Sequence, residues 1–205
     1  MSKTAAQIKI CGINDASIAA LCERLGASYL GFIFAAGSPR RVDPAAARAI
    51  GGALEGRARR VGVFTEGGAG DVIRTAREAG VGIVQLHSTS YGEEDVRRIK
   101  EAGFGVWTLW GAEGCAAADA VLLDGSDGRQ SGGTGRLADW NLARELSASG
   151  RKVVLAGGIS AANAAEAAAT GAEVLDVNSS LESARGVKSA ALVEEFFAVF
   201  QESGS

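Results

Sequence analysis

Short apolar runs alternate with longer segments of helical periodicity along most of the chain. Runs such as YLGFIF, VGVF and AVLLD are separated by alanine-rich segments whose apolar residues recur every three or four positions. The apolar runs predict eight strands, at 7–12, 29–34, 60–64, 82–87, 104–109, 120–124, 152–156 and 173–178. A helix is predicted after each strand, and the segment from 111 to 119 shows the least regular helical pattern.

Alternation of strands and helices predicts a parallel sheet, because each helix returns the chain to the start of the next strand. Glycines recur where a helix would end and a strand begin, a position at which glycine adopts the left-handed conformation without strain. They stand at positions 26, 80, 103, 150 and 171. Eight such units favour a closed (β/α)8 TIM barrel over an open doubly wound sheet, and we predict a single domain over residues 1–205.

Composition excludes several classes of partner. The chain has 205 residues, 47% of them hydrophobic, and a net charge of −3 without a basic stripe, so neither nucleic acid nor membrane is an expected partner. Its cysteines, Cys11, Cys22 and Cys115, match neither a disulfide framework nor a zinc site, which suggests a reducing cytoplasm. With His87 as the only histidine, no histidine-based metal cluster is possible, and we expect no metal.

Three glycine- or serine-rich stretches follow predicted strands six, seven and eight. They are SGGTG at 131–135, AGGI at 156–159 and NSS at 178–180. Glycines allow backbone N–H groups to approach an anion, and such barrels often hold phosphate after their last two strands. Each stretch alone could be a tight turn, but three converging loops favour a phosphate site.

Two reactive side chains stand at the ends of predicted strands, where barrels of this kind place their chemistry. Cys11 ends strand one, and it is either an inert buried thiol or, as a thiolate, a base or nucleophile. Asp124 ends strand six, and it either caps the next helix or acts as a general acid with a pKa raised by burial. The glycine-rich loop after Asp124 weakens the capping interpretation.

Lys9 lies on the same face of strand one as Cys11, because strand side chains alternate. Asp176 has the same relation to Asn178 on strand eight, and strands eight and one are neighbours in a closed barrel. We therefore predict that Lys9 and Asp176 point inward and pair, since a buried charge needs a partner. Lys9 would then also favour the thiolate form of Cys11.

An arginine after strand two is suited to recognising a carboxylate. GSPRRV places Arg40 and Arg41 on a loop stiffened by Pro39, and a guanidinium binds a carboxylate through two parallel hydrogen bonds. Sequence spacing does not separate the two arginines, one of which could be plain surface.

Seven motifs now stand in order along the chain. They are KICGI, GFIF…GSPRRV, VGVF, VQLH, LLDG…SGGTGRLADW, LAGGI and LDVNSSLES…GVK, from Lys9 to about Lys188. Together they resemble the phosphoribosylanthranilate isomerase family of tryptophan biosynthesis.

The resemblance implies a cytoplasmic, monomeric (β/α)8 barrel that performs an Amadori rearrangement of a phosphosugar without a cofactor. By matching motifs, Cys11 is the base, Asp124 is the acid and Arg40 binds the anthranilate carboxylate. The phosphate loops match Gly133, Gly135, Gly157, Gly158, Ser179 and Ser180. His87 is expected either to contact the substrate or to be a structural histidine.

The chain departs from the usual family pattern at Ser88, Thr108 and Arg185, which puts loop shape and secondary contacts in question. One alternative is the related isomerase of histidine biosynthesis, but that family uses aspartates as both catalytic groups. Another is a phosphosugar-binding protein without activity, which would need neither Cys11 nor Asp124.

Overall fold

Eight parallel strands close into a barrel in the computed structural model, which describes residues 6–125 and 138–203. The barrel strands are β1 Gln7–Cys11, β2 Tyr29–Ile33, β3 Arg59–Phe64, β4 Ile83–Leu86, β5 Gly105–Leu109, β6 Ala120–Leu123, β7 Val153–Leu155 and β8 Val174–Val177. The helices are α1 Ala16–Leu25, α2 Pro44–Gly52, α3 Ala69–Ala79, α4 Glu93–Glu101, α5 Trp140–Ala148, α6 Ala164–Ala169 and α7 Ala190–Ser203. The predicted fold class is confirmed.

The predicted strands all exist, with ends shifted by no more than two residues. Two predicted helix ends are also confirmed, because Gly26 and Gly80 follow α1 and α3 with φ of 102° and 66°. These left-handed glycines let the chain turn directly into the next strand. No helix among the described residues has both the length and the hydropathy needed to span a bilayer.

The helix predicted between 111 and 119 is wrong. Only a 3₁₀ turn, Glu113–Ala116, forms there. Gly111 has φ of 88°, and a Cβ on Gly114 would lie 2.9 Å from the carbonyl oxygen of Gly92. The connection therefore packs too closely against the start of α4 for a regular helix to fit.

The chain adds a hairpin that the sequence pattern did not predict. After β8, a 3₁₀ turn leads into two short antiparallel strands, β9 Glu182–Ala184 and β10 Val187–Lys188. The hairpin turns at Gly186, whose φ is 85° and where a Cβ would lie 2.7 Å from the carbonyl oxygen of Pro39. The hairpin thus packs against the loop that follows β2.

A buried ion pair lies where the barrel closes. Lys9 on β1 is in register with Asp176 on β8, and its Nζ atom is 2.6 Å from Asp176 Oδ2. Lys9 is completely buried, and burial opposes its charge, yet its pKa is raised, because the charges and hydrogen bonds of Asp176 and Cys11 together outweigh that effect. The predicted inward pairing of Lys9 and Asp176 is confirmed.

Glu23 on α1 braces the connection between α2 and β3. Its buried carboxylate accepts hydrogen bonds from the backbone N–H groups of Glu55, Arg57 and Ala58, at 2.8 to 3.0 Å. Burial opposes its ionisation, but these hydrogen bonds hold the pKa of Glu23 below its usual value. One ionised side chain therefore fixes the position of the connection between α2 and β3.

We expect Lys9→Met to lower the free energy of unfolding by about 3–5 kcal/mol, because it leaves the carboxylate of Asp176 buried without its cation. Urea denaturation followed by circular dichroism measures this change.

The matched control is Arg74→Ala. This substitution breaks the exposed Arg74–Asp71 pair on α3 and should cost no more than about 1 kcal/mol. Lys9→Met combined with Asp176→Leu should recover part of the lost stability. Equal losses for Lys9→Met and Arg74→Ala would contradict a structural role for the buried pair.

Candidate active site

One cavity of about 250 Å³ opens at the C-terminal ends of the barrel strands. It brings together most of the side chains that the sequence singled out. The predicted site residues that line it are Cys11, Arg40, His87, Asp124, Gly157, Gly158 and Ser179. Gly133 and Gly135 lie outside the described residues.

Cys11 ends β1 and projects into this cavity, with only 5% of its surface exposed. Gly31 on β2 leaves room for it, because a Cβ there would lie 3.0 Å from Cys11 Sγ. Burial raises the pKa of the Cys11 thiol, and the opposing attraction of Lys9 does not outweigh that effect. Lys9 thus favours the thiolate, as predicted, but burial has the larger effect on the pKa.

Asp124 directly follows β6. It faces His87, which directly follows β4. The Nε2 atom of His87 lies 2.9 Å from Asp124 Oδ2, and both side chains are largely buried. The next helix in the described part of the chain, α5, is capped by Asp139, which accepts hydrogen bonds from the N–H groups of Asn141 and Leu142. His87 thus holds the predicted acid while also lining the cavity.

Arg40 and Arg41, which the sequence could not tell apart, have different surroundings in the structure. Arg40 is buried and lines the cavity, whereas the side chain of Arg41 is half exposed and lies 3.7 Å from Asp43. Arg40 also forms a bidentate pair with Glu182, through Nε at 2.7 Å and Nη2 at 2.8 Å. The hydrogen bond to Glu182 raises the pKa of Arg40.

Sequence reasoning missed Glu182 and its second cation, Lys188. The amine of Lys188 lies 2.8 Å from Glu182 Oε1 and 2.9 Å from Asn178 Oδ1. Burial would raise the pKa of Glu182, but hydrogen bonds from Arg40 and Lys188 lower it to about 2. Opposite charges in the segment after β8 were the only sequence signal for this cluster, and they did not identify Arg40 as the partner.

The loop after β7 presents backbone donors to the cavity. Gly157 and Gly158 have φ of 85° and 68°, and within the described part of the chain their N–H groups have no acceptor. Ser179 lines the cavity, whereas the Ser180 hydroxyl donates a 2.6 Å hydrogen bond to the Ile159 carbonyl. Free amides on a left-handed glycine pair are suited to an anion.

Two further acceptors lie at the cavity floor and were also missed. Gln85 Oε1 and Asp176 Oδ1 are buried, and neither accepts a hydrogen bond from a described residue, although both side chains line the cavity. Such oxygens suit a ligand with hydroxyl donors.

The three departures from the family pattern lie in different surroundings. Arg185 lines the cavity, Thr108 is buried, and the hydroxyl of Ser88 forms a hydrogen bond with that of Ser90.

The cavity therefore combines a thiol and a carboxyl group with an arginine and free backbone amides. A thiol at the end of β1 and a carboxyl group directly after β6, both lining one cavity, can move protons on a bound molecule. The arginine and the amides can each hold an anionic group. Residues 6–125 and 138–203 contain no cluster of three or more histidine, cysteine or acidic side chains that could share a metal ion.

Comparison with known proteins identifies one family. The family model of N-(5'-phosphoribosyl)anthranilate isomerase matches residues 8–199. A curated relative of that name from Rubrobacter xylanophilus is 38% identical, with 93% of this chain and 97% of the relative covered.

Solved structures agree with this match. The crystal structure of phosphoribosyl anthranilate isomerase from Thermus thermophilus superposes with a TM-score of 0.86 at 38% identity, covering 96% of this chain and 98% of that one. Another phosphoribosyl anthranilate isomerase, 26% identical with a TM-score of 0.80, covers 96% of this chain and 99% of its own. It was solved in complex with reduced 1-(o-carboxyphenylamino)-1-deoxyribulose 5-phosphate.

Glu182 should make stability depend on pH in the acid range. Its pKa is about 2 in the folded protein against an ordinary value of 4.5, so its contribution is complete above pH 4.5 and is lost as the pH falls through about 2. The stability difference between the wild type and Glu182→Gln should therefore be large at pH 6 and shrink towards pH 2. Urea denaturation at several pH values measures it, and the exposed Glu145→Gln is the control. A pH-independent difference would contradict this role.

Proposed function

Since the chain belongs to the N-(5'-phosphoribosyl)anthranilate isomerase family, we propose that Cys11 is the general base and Asp124 the general acid of its reaction. The enzyme acts in tryptophan biosynthesis and converts N-(5'-phosphoribosyl)anthranilate to 1-(o-carboxyphenylamino)-1-deoxyribulose 5-phosphate. The observation that carries the assignment is that both groups line one cavity, which Arg40 and a free amide pair also line.

Asp124 starts the rearrangement by giving its proton to the ring oxygen of the sugar. The bond from C1' to that oxygen breaks, its electron pair stays on the oxygen, and the nitrogen lone pair forms an iminium with C1'. His87, 2.9 Å from the carboxylate, holds Asp124 in place and stabilises the charge left on it. We thus assign two roles to His87: it positions Asp124, and it lines the substrate cavity.

Once the iminium has formed, Cys11 releases its thiol proton to water at the open mouth of the cavity, and the thiolate removes the proton from C2'. The electrons of the broken C–H bond form the C1'–C2' double bond and neutralise the iminium nitrogen, and the resulting enolamine becomes the ketone by proton transfer from O2' to C1'. Burial raises the pKa of Cys11, so the thiolate needs a nearby positive charge. The iminium supplies that charge when the base is required.

The two ends of the substrate are held by different groups. Arg40 binds the anthranilate carboxylate, and the phosphate lies against backbone amides that include those of Gly157 and Gly158. The remaining proposed phosphate contacts are Ser179, Ser180, Gly133 and Gly135. Fixing both ends places the reacting carbon between acid and base, and such orientation contributes several kcal/mol to the rate enhancement.

We place this enzyme in the cytoplasm as a monomer. The described cysteines are all free, which fits a reducing compartment. Light scattering of the purified protein measures its mass in solution.

Cys11→Ala and Asp124→Asn should each lower kcat of the isomerisation by about 10²–10⁴-fold, the usual effect of removing a general acid or base. The loss of phosphoribosylanthranilate fluorescence measures the rate. Cys115→Ser is the thiol control, because Cys115 lies in the 3₁₀ turn before β6 and away from the cavity lining. Full turnover by either cavity variant would remove its assigned role.

Gly157→Ala should lower kcat/KM by about tenfold to hundredfold, because small displacements of reacting groups have effects of that size. The new Cβ would lie 2.4 Å from Gly125 N and 3.0 Å from Asp124 Oδ1, so the acid must move. Gly26→Ala is the matched control, since its φ is 102° but its Cβ would meet no atom within 4 Å. Equal activity of the two variants would contradict the prediction.

A further inference from the structure

Glu182 interacts with the site from outside, because it bonds to Arg40 but does not line the cavity. The Glu182 side chain is only 4% exposed. Besides its two hydrogen bonds from Arg40, it accepts one from Lys188 at 2.8 Å and one from the Gly186 N–H group at 3.1 Å. These four hydrogen bonds hold the Glu182 carboxylate in one position. Two of them come from Arg40, so they also fix the orientation of the Arg40 guanidinium.

The geometry of the pair determines which edge of Arg40 remains available. Glu182 occupies the edge formed by Nε and Nη2, which is the side of the guanidinium. A planar guanidinium also has an end edge, where Nη1 and Nη2 present two parallel N–H groups. No group within residues 6–125 and 138–203 accepts a hydrogen bond from Nη1. The end edge can therefore take a second carboxylate in bidentate fashion.

Charge decides whether a second carboxylate would be attracted. Arg40 and Glu182 alone form a neutral pair, which offers little to another anion. The side chain of Lys188 is 1% exposed and bonds to the same carboxylate, so the three side chains together carry one positive charge. Lys188 also bonds to Asn178, which lines the cavity, so this charge lies close to the bound ligand.

We propose that Glu182 and Lys188 are positioning residues for the anthranilate carboxylate. Glu182 fixes Arg40 so that its end edge receives the carboxylate, and Lys188 keeps the cluster positive so that the carboxylate is attracted. This inference rests on the proposed function, because it takes Arg40 as the carboxylate ligand.

The test compares two ligands that differ only in the carboxylate. One is reduced 1-(o-carboxyphenylamino)-1-deoxyribulose 5-phosphate, and the other is its analogue with an unsubstituted phenyl ring. Calorimetry gives the ratio of their dissociation constants. Glu182→Gln should reduce the wild-type preference for the carboxylate by about tenfold or more, because the loss of a fixed Arg40 outweighs the positive charge that the substitution adds. Lys188→Met should reduce it by a similar factor, because the cluster loses its positive charge.

Steady-state kinetics gives a second readout. Both variants should raise KM for phosphoribosylanthranilate more than they lower kcat, because the carboxylate lies away from the reacting carbon. If Glu182 acts through Arg40, combining Arg40→Lys with Glu182→Gln should reduce the carboxylate preference little beyond Arg40→Lys alone. Additive losses would show that Glu182 acts by another route, such as the β9–β10 hairpin.

Glu23→Gln is the matched structural control, because Glu23 is also a buried carboxylate that accepts three hydrogen bonds but lies away from the cavity. It should lower stability without changing the carboxylate preference. If Glu182→Gln proves too unstable, Glu182→Asp, which keeps the charge but shortens its reach, should show the same loss of preference.

The outcomes separate this inference from the proposed function. Wild-type protein that neither isomerises phosphoribosylanthranilate nor binds the reduced product would overturn the proposed function. Wild-type activity with an unchanged carboxylate preference in folded Glu182→Gln or Glu182→Asp would overturn only the role of Glu182. An unchanged preference in Lys188→Met would likewise overturn the role of Lys188.

Discussion

Closure of the barrel between its first and last strands depends on a charged pair inside it. Lys9 and Asp176 are removed from water, and their hydrogen bond at 2.6 Å is what makes that burial tolerable. Because β1 and β8 are held in this register, Cys11, two residues further along β1, is brought to the same opening as the loop after β8. The position of the reactive thiol is thus a consequence of how the barrel closes.

The electrostatics of the cavity follow from the charges around that thiol. Lys9, Arg40 and Lys188 pair with Asp176 and Glu182, which leaves one positive charge within this group although the net charge of the chain is −3. The cavity lining also holds the cation Arg185 and the acidic side chains Glu66 and Asp124. A ligand with anionic groups at both ends suits such an opening, because local fields rather than net charge govern binding at short range. Burial raises the pKa of the resting Cys11 thiol by more than the attraction of Lys9 lowers it.

Much of this could be predicted from the sequence, because strand periodicity and chain order determine where strands end. Cys11 and Asp124 were recognised in this way, and Lys9 and Asp176 were paired from their registers alone. The Glu182–Arg40 contact could not be predicted, since Arg40 lies on a loop and Glu182 on the β9–β10 hairpin, and the barrel register fixes the position of neither. The direction of the Cys11 pKa shift could not be predicted from the sequence either. Residue spacing gives the sign of a neighbouring charge but not the size of the effect of burial.

The proposed reacting groups and the proposed binding group are held by different means in this fold. Cys11 is the last residue of β1 and is paired with Gly31 of β2, and Asp124 directly follows Leu123, which is paired with Leu155 of β7. Arg40 lies on a loop, and a loop side chain of its length would otherwise sample many rotamers. Its bidentate contact with a buried carboxylate removes that freedom before any ligand arrives, so the cost of ordering it is met during folding rather than during binding. A loop residue thereby acquires the fixed geometry that the barrel gives to its strand residues.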